Sequence, residues 1–331
     1  MGVVEATKSS SGYAKPPWMF TGSALYQLHL VKAETARALI PKEFRLVEAF
    51  GYSFPLFSIP THPKKEEESI EVELALCRYT LGGFFLAHYD DSPAGIFDEL
   101  VVIAGIVWNP PTSCAWAARV LVNSHEACFH GRKYIGLPSQ VAGFSKRTIA
   151  ISERSRNKEN SFLHKIGFGT AFHNPKDRID VQVAEIKDSS TTTDFCCISL
   201  PTAVLNSRSD STWMGPIVKM SLPSYSGHTE YNPHLLKYSC QIKCRVRAVT
   251  PAKVSGPTTT PLDKHGEELL AHQSFYSVGS EFGELTENDA RNRSISVLLS
   301  KPVLALEFNF LKMQVEPPIV VAHCSKNIVE D

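Results

Sequence analysis

The sequence lacks any long apolar run and any excess of charge of one sign. Its longest strongly apolar stretch, residues 100–108, is far short of the ~20 residues that a membrane-spanning helix needs, so no transmembrane segment is expected. The 331 residues carry 34 Lys and Arg against 34 Asp and Glu. Because this balance argues against the basic face that binds polyanions, nucleic acids are not expected as partners.

Targeting patterns are also missing near the N-terminus. The first residues, MGVVEATKSSSGY, contain neither the apolar run of a secretory signal nor the Arg-rich amphipathic pattern of a transit peptide. The eight cysteines are therefore expected to be free thiols in a reducing compartment. By default we expect a cytoplasmic protein, with association with plastids as the alternative.

Metal-binding spacings are absent from the sequence as well. The twelve histidines show no HExxH motif. Cys240 and Cys244 lie in a predicted strand, where two thiols four residues apart are separated by about 13 Å at ~3.3 Å per residue. That distance is too long for both to bind one zinc ion. The sequence predicts no metal site, and no other cofactor is expected.

What the sequence does contain is a series of short apolar segments separated by turn signals. They span residues 25–31, 81–89, 99–108, 114–123, 141–151, 179–186, 195–200, 237–249 and 302–315. This spacing favours antiparallel strands over alternating strands and helices. We predict a mainly β (β-rich α+β) fold with a few short helices, closed into a barrel because closure removes exposed strand edges.

Two strands show the pattern most clearly. In residues 237–249, the even-numbered positions from Tyr238 to Ala248 are predicted to share a buried face. In residues 302–315, Leu304, Leu306, Phe308 and Phe310 are predicted to lie on one side. A short helix over residues 33–40 is predicted to end before Pro41, which cannot continue a helix.

The segment His130 to Gln140, HGRKYIGLPSQ, is a Gly- and Pro-containing turn with two basic residues between apolar strands. From its residues alone it is a structural loop. The chain nevertheless resembles the acetoacetate decarboxylase-like superfamily, and most of it closely resembles one plant family of that superfamily. The runs that carry the closer match are residues 22–27, 81–87, 90–100, 107–122 and 235–240. The resemblance implies an acetoacetate decarboxylase-like antiparallel β-barrel.

In decarboxylases of this superfamily, the turn carries two lysines, which by the resemblance fall on Ser139 and Gln140. The first lysine forms a Schiff base with a β-keto acid, and that step requires an amine. Neither serine nor glutamine can form an imine. The decarboxylase reaction is therefore not expected in this chain.

Other active-site residues of the superfamily are matched only in part by this chain. The resemblance places Glu99 on an active-site carboxylate and Arg132 on an arginine of the turn. It places Lys219 on a lysine of a late strand, with a solvent-facing position as the alternative, whereas a substrate-binding arginine falls on Leu30. We expect a pocket for an apolar or weakly polar small molecule. Its predicted ligand-binding residues are Glu99, Arg132, Ser139, Gln140 and Lys219.

The plant family implies a role in neoxanthin formation, in carotenoid metabolism upstream of abscisic acid. We expect the chain to bind or deliver a ligand such as a xanthophyll, or to act with a protein partner, rather than to catalyse. The alternative is an enzyme that converts violaxanthin to neoxanthin, with Glu99 as the acid or base that acts on the epoxide. A structural protein with a filled barrel is a third interpretation.

The predicted organisation is one domain over residues 18–322. A flexible arm, residues 1–17, precedes it, and a short tail, residues 323–331, follows it. Residues 53–79 change abruptly in composition, with three prolines and a run of charges. Because the plant family is expected to run from Tyr52 almost directly to Thr80, we interpret this segment as a loop insertion. Our hypothesis is that it arises from an in-frame retained intron or from an extension of the gene model.

Overall fold

The computed structural model describes residues 15–52, 77–150, 177–188, 191–201, 215–257 and 286–321. Seven strands close into a barrel in the order β6-β10-β11-β13-β1-β4-β5, and β5 pairs with β6 to complete the ring. These strands are β1 (Trp18–Lys32), β4 (Cys77–Asp91), β5 (Phe97–Asn109), β6 (Thr112–Val122), β10 (Ile217–Gly227), β11 (Leu235–Val249) and β13 (Lys301–Val315). The prediction of a mainly β barrel is confirmed.

Neighbouring barrel strands are antiparallel except at one seam. There β6 and β10 run parallel and are paired only through Ser224 with Ala115 and Tyr225 with Trp116. Pro223 lies beside these pairs, and its missing N–H cannot contribute to a ladder. The seam is therefore the weakest junction of the ring.

The remaining strands extend the sheet beyond the barrel. A second layer follows β6 through β7, β8, β9 and β12. Its strands are β7 (Ser139–Ala150), β8 (Asp177–Asp188), β9 (Thr191–Pro201) and β12 (Lys253–Ser255). Three short strands pair at the margins: β2 (Arg45–Leu46), β3 (Ala49–Tyr52) and β14 (Ile319–Val320).

The helices are short, as predicted. They are α1 (Ala33–Arg37), α2 (His125–His130), which continues as a π-helical turn (Gly131–Ile135), and α3 (Glu287–Leu298). Ser124 caps α2 by accepting a hydrogen bond from the amide of Ala127 at 3.2 Å. No helix in the described residues is long and apolar enough to cross a membrane.

Side chains of the barrel strands alternate between two hydrophobic cores, because successive residues of a strand point to opposite faces. On β1, Phe20 and Ala24 belong to the core inside the barrel. Leu25 and Val31 belong to the core between the outer face of the barrel, the second layer and the helices. Polar Gln27 is fully buried on this outer face, where its amide hydrogen-bonds the backbone of the 250–252 turn.

Two predicted faces are wrong in part, and on β13 the reason is a β-bulge that changes the alternation. Phe310 has φ 52° and is 66% exposed, whereas Leu311 takes the buried position. The register of β13 against β1 shifts at this point. On β11 the alternation is unchanged, but Ala248, next to the last residue of the strand, is exposed instead of buried.

The predicted loop over residues 53–79 needs a correction at its end. Residues 77–79 form the beginning of β4, and the backbone of Cys77 pairs with Tyr52 of β3. The two strands therefore form an antiparallel pair whose connection is residues 53–76. That connection, like the tail and residues 1–14 of the arm, lies outside the described residues.

Candidate ligand cavity in the barrel

A cavity of about 260 Å³ lies inside the barrel. Its walls are mainly aromatic and aliphatic, with Phe20, Phe85 and Met313 from three strands. In the part of the chain that the structure describes, Glu99 is the lining residue whose side chain can carry a charge near neutral pH. The cavity therefore suits a largely apolar ligand with one polar contact.

Glu99 and Tyr89 form the polar contact of the cavity. Tyr89 of β4 pairs with Phe97 and Glu99 of β5 pairs with Ala87, so the two side chains are diagonal neighbours on the inner face of the ladder. The Tyr89 hydroxyl donates a 2.8 Å hydrogen bond to Glu99 Oε2. Burial raises the pKa of Glu99 to about 7, although the hydrogen bond from Tyr89 opposes that rise. The carboxyl group is thus poised to exchange a proton at physiological pH.

Two residues of β11 also face Glu99. Burial, and then the nearness of the Glu99 carboxylate, raise the pKa of the Cys240 thiol to about 12. Burial likewise raises the pKa of Tyr238 well above its ordinary value. Both groups therefore stay neutral at physiological pH, and Cys240 is not a thiolate nucleophile.

The cavity reaches the seam of the barrel. Ser113, Pro223 and Ser224 line it there, and Ser113 is solvent-exposed. Since β6 and β10 share only two residue pairs, this seam is the part of the wall with the fewest hydrogen bonds.

A cap formed by α2 and the π-helical turn closes another part of the cavity through Ile135 and Leu137. The loop predicted at residues 130–140 is thus largely helical. Gly136 ends the turn with φ 74°. A Cβ there would approach Leu236 Cδ1 to 2.7 Å, so this position requires glycine.

Comparison with known proteins identifies the family. The chain is 55% identical to "Protein NEOXANTHIN-DEFICIENT 1" of Solanum lycopersicum over 325 residues, which cover 98% of this chain and 99% of the relative. Proteins of the same name from Arabidopsis thaliana and Oryza sativa subsp. japonica are 54% and 50% identical, over 96% and 98% of this chain and 98% and 96% of the relatives. The chain belongs to the NEOXANTHIN-DEFICIENT 1 family. No protein-family model matches it.

Solved structures similar to this member of the NEOXANTHIN-DEFICIENT 1 family include two enzymes. The enduracididine biosynthesis enzyme MppR, complexed with pyruvate, has a TM-score of 0.47 at 10% identity, covering 98% of this chain and 99% of that chain. Acetoacetate decarboxylase from Legionella pneumophila has a TM-score of 0.47 at 10% identity, covering 96% of this chain and 92% of that chain.

Of the five predicted site residues, Glu99 lines the cavity, and the other four do not. Arg132 lies on the outer side of the cap and forms a 3.0 Å ion pair with Glu230. Ser139 is buried at the start of β7, where its hydroxyl packs against Gly131. The expectation that all five surround one pocket is therefore corrected.

Gln140 and Lys219 lie in still other surroundings. The side chain of Gln140 accepts a hydrogen bond from Arg119 and donates one of 3.1 Å to Glu287 of α3. It therefore belongs to a polar network outside the barrel. Lys219 is exposed on β10, opposite Lys243 of β11. Of the two alternatives for Lys219, the structure shows the solvent-facing position.

The sequence did not single out Tyr89, Ser113 or Ser224 as site residues. Tyr238 and Cys240 were placed on a buried face but given no role. The strand pattern could have indicated Tyr89. It is four residues after Phe85 and alternates with polar His88, so it is expected on the same face of the strand as Phe85. In the described residues, no three His, Cys, Asp or Glu side chains are grouped so as to hold a metal ion.

Proposed function

We propose that this protein supports neoxanthin formation by binding an uncharged, largely apolar ligand in the barrel, with Glu99 as its polar contact. The observation that carries the proposal is an apolar cavity to whose lining, among the described residues, Glu99 contributes the one carboxyl group. The names of the relatives support the link to neoxanthin. A xanthophyll, apolar along its chain and oxygenated at its ends, has the matching chemistry.

The size of the cavity limits how such a ligand binds. At about 260 Å³, it is near the lower limit of small-molecule pockets, which begin at roughly 300 Å³. We therefore propose that one oxygenated end group enters the barrel and that the polyene chain leaves through the seam between β6 and β10. Ser113 and Ser224 at this seam would border the chain where it leaves.

Glu99 would recognise the oxygen of the end group. Its Oε2 accepts the hydrogen bond from Tyr89, so the other carboxyl oxygen faces the ligand. In its protonated form Glu99 donates to a hydroxyl or epoxide oxygen, and in its ionised form it accepts from a hydroxyl. Ser139 offers no amine for imine formation, so Schiff-base chemistry is not part of the proposal.

A titration with violaxanthin or neoxanthin, followed by quenching of tryptophan fluorescence, tests the binding role. Ala117 is buried and lines the cavity, so Ala117→Leu should weaken binding at least about tenfold by filling it. Ala248 is exposed on β11, and Ala248→Leu is the matched control that should bind as the wild type does. Equal affinity of both variants would show that the ligand does not occupy the barrel.

Catalysis is the second candidate, and the pKa of Glu99 near 7 favours it. Protonated Glu99 would give its proton to the epoxide oxygen as the C–O bond breaks. The resulting carboxylate would then remove a proton from the neighbouring vinyl carbon to form the allene, which restores Glu99 and balances the isomerisation. If pure protein converts violaxanthin to neoxanthin and Glu99→Gln does not, the role is catalytic. If neither forms neoxanthin while both bind the ligand, the binding role stands.

A further inference from the structure

Three aromatic side chains are exposed together on the outer side of the cap. Phe129 of α2 is 48% exposed, Tyr134 of the π-helical turn 40%, and Tyr231 of the β10–β11 connection 44%. The rings of Phe129 and Tyr231 meet edge to face at 5.7 Å. Lys133 Nζ lies 5.1 Å from the Phe129 ring and 5.2 Å from the Tyr134 ring. We call Phe129, Lys133, Tyr134 and Tyr231 the cap patch.

Hydrogen bonds hold the cap patch in place. Asn232 Nδ2 donates to the carbonyl of Lys133 at 2.7 Å, and Ser226 Oγ donates to the carbonyl of Ile135 at 2.6 Å. The amide of Gly227 donates to the carbonyl of Gly136 at 2.8 Å. These bonds join the cap to the β10–β11 connection, so the aromatic groups are presented without further folding.

The cap patch and the cavity are the two sides of the same cap. Lys133 and Tyr134 are exposed on the outer side, whereas Ile135 and Leu137, one and three residues after Tyr134, line the cavity. A partner that covers the cap patch is therefore separated from the cavity by the cap alone. Clustered exposed aromatic groups in a soluble domain mark an interaction surface.

We propose that the cap patch docks onto the interface of a lipid bilayer, so that an apolar ligand passes between the membrane and the barrel. This inference rests on the proposed function, since an apolar ligand is supplied from an apolar phase. Two phenols, a phenyl ring and one ammonium group match that interface, where amphipathic rings and lysine lie at the level of the headgroups. Lysine is depleted at protein–protein interfaces, so the position of Lys133 between the Phe129 and Tyr134 rings favours the headgroup layer over a protein partner.

Flotation of the full chain with phosphatidylcholine vesicles, with and without phosphatidylglycerol, tests the docking. The variant Phe129→Ser/Tyr231→Ser should lower the bound fraction at least about tenfold, because it removes on the order of 100 Å² of apolar contact. The matched control is Leu304→Ser/Phe310→Ser, which replaces residues of β13 that are 40% and 66% exposed. The control should bind vesicles as the wild type does, and thermal melts should show that both variants are folded.

Three results would overturn the inference. They are no vesicle binding by the wild type, equal losses in the test and control variants, and a wild-type dimer that the test variant converts to a monomer. The last result would assign the cap patch to a second copy of the chain. The violaxanthin titration without vesicles separates this inference from the proposed function: if the ligand binds there and vesicles do not, only the docking fails.

Discussion

Arg119 of β6 and Glu185 of β8 form an ion pair that is closed off from solvent. Their side chains are each 5% exposed, and Arg119 Nη1 lies 2.6 Å from Glu185 Oε1. Arg119 also contacts Glu287 at 2.7 Å, and Arg291 contacts Glu185 at 2.6 Å. The network therefore joins a barrel strand, the second layer and α3, and Gln140 is one of its members.

Replacing Arg119 should destabilise the protein strongly. Arg119→Met leaves Glu185 buried with one cation instead of two, and breaking a buried pair costs roughly 3–5 kcal/mol. Arg132→Met, which breaks the partly exposed pair with Glu230, is the control and should cost no more than about 1 kcal/mol. Urea unfolding of both variants measures the difference. Similar losses in the two would show that burial does not govern this ion pair.

The contribution of Glu99 to the free energy of unfolding should fall as the pH rises through the pKa of its carboxyl group. The folded pKa of about 7 exceeds the ordinary value of 4.5, so the folded state binds the proton more tightly than the unfolded state. The stabilisation is complete below pH 4.5 and lost above pH 7, and it amounts to at most about 3 kcal/mol.

Glu99→Gln keeps a polar group of similar shape but cannot ionise. Relative to wild type it should therefore gain stability between pH 5 and pH 8, measured as the free energy of unfolding at each pH. Glu126→Gln, at an exposed position of α2, is the control. Parallel pH profiles for the wild type and Glu99→Gln would show that Glu99 titrates normally.

Alanine substitutions at Gly136 and Gly95 distinguish the energetic cost of backbone strain from the cost of a steric clash. Both have positive φ, 74° and 78°, so alanine at either position loses about 1 kcal/mol to backbone strain. A Cβ at Gly95 meets no atom within 4 Å, whereas at Gly136 it lies 2.7 Å from Leu236 Cδ1. Gly136→Ala should therefore cost about 1–3 kcal/mol more than Gly95→Ala. Equal melting temperatures for the two would mean that the cap moves away from β11 at no cost.

Residues 53–76 should be dispensable for folding. Because Tyr52 and Cys77 are paired in the β3–β4 ladder, an Asn-Gly turn in place of the connection should leave the melting temperature within a few degrees. Deleting residues 53–79 instead also removes Arg78, which pairs with Glu48 at 3.3 Å, and Tyr79, which pairs with Lys32. If the longer deletion is the more stable protein, residues 77–79 belong to the insertion. Sequencing the mature transcript tests whether the insertion is a retained intron.

Much of the strand order followed from local pattern. The segment predicted at residues 99–108 is β5, Phe97–Asn109, because a strand with buried faces leaves a continuous apolar run. Helix α3 was not predicted, since its sequence is polar and its buried residues, Ile295, Val297 and Leu298, lie at its C-terminal end. Burial against the outer faces of β1, β4 and β5 and against α1, rather than helical periodicity, stabilises it.

The candidate site was predicted only at Glu99. A sequence resemblance predicts which positions correspond, but not where each side chain points. Glu99 points into the barrel because its pairing in the β4–β5 ladder fixes the face of the sheet that it occupies. Gln140 faces Arg119 and α3 instead of the cavity because the second layer and the helix pack on that side of the sheet. No pattern local to Gln140 contains that information.

The sequence by itself determined the β class and the main strands, because hydrophobic alternation is a local property that each segment carries alone. That Ser139 offers no amine also follows from residue type alone. Only the tertiary structure decided which carboxyl group is enclosed with Tyr89 and which arginines are buried with Glu185. It also decided which aromatic side chains are exposed on the surface of the cap. These depend on barrel closure, which brings together residues far apart in the chain and replaces water with protein around them.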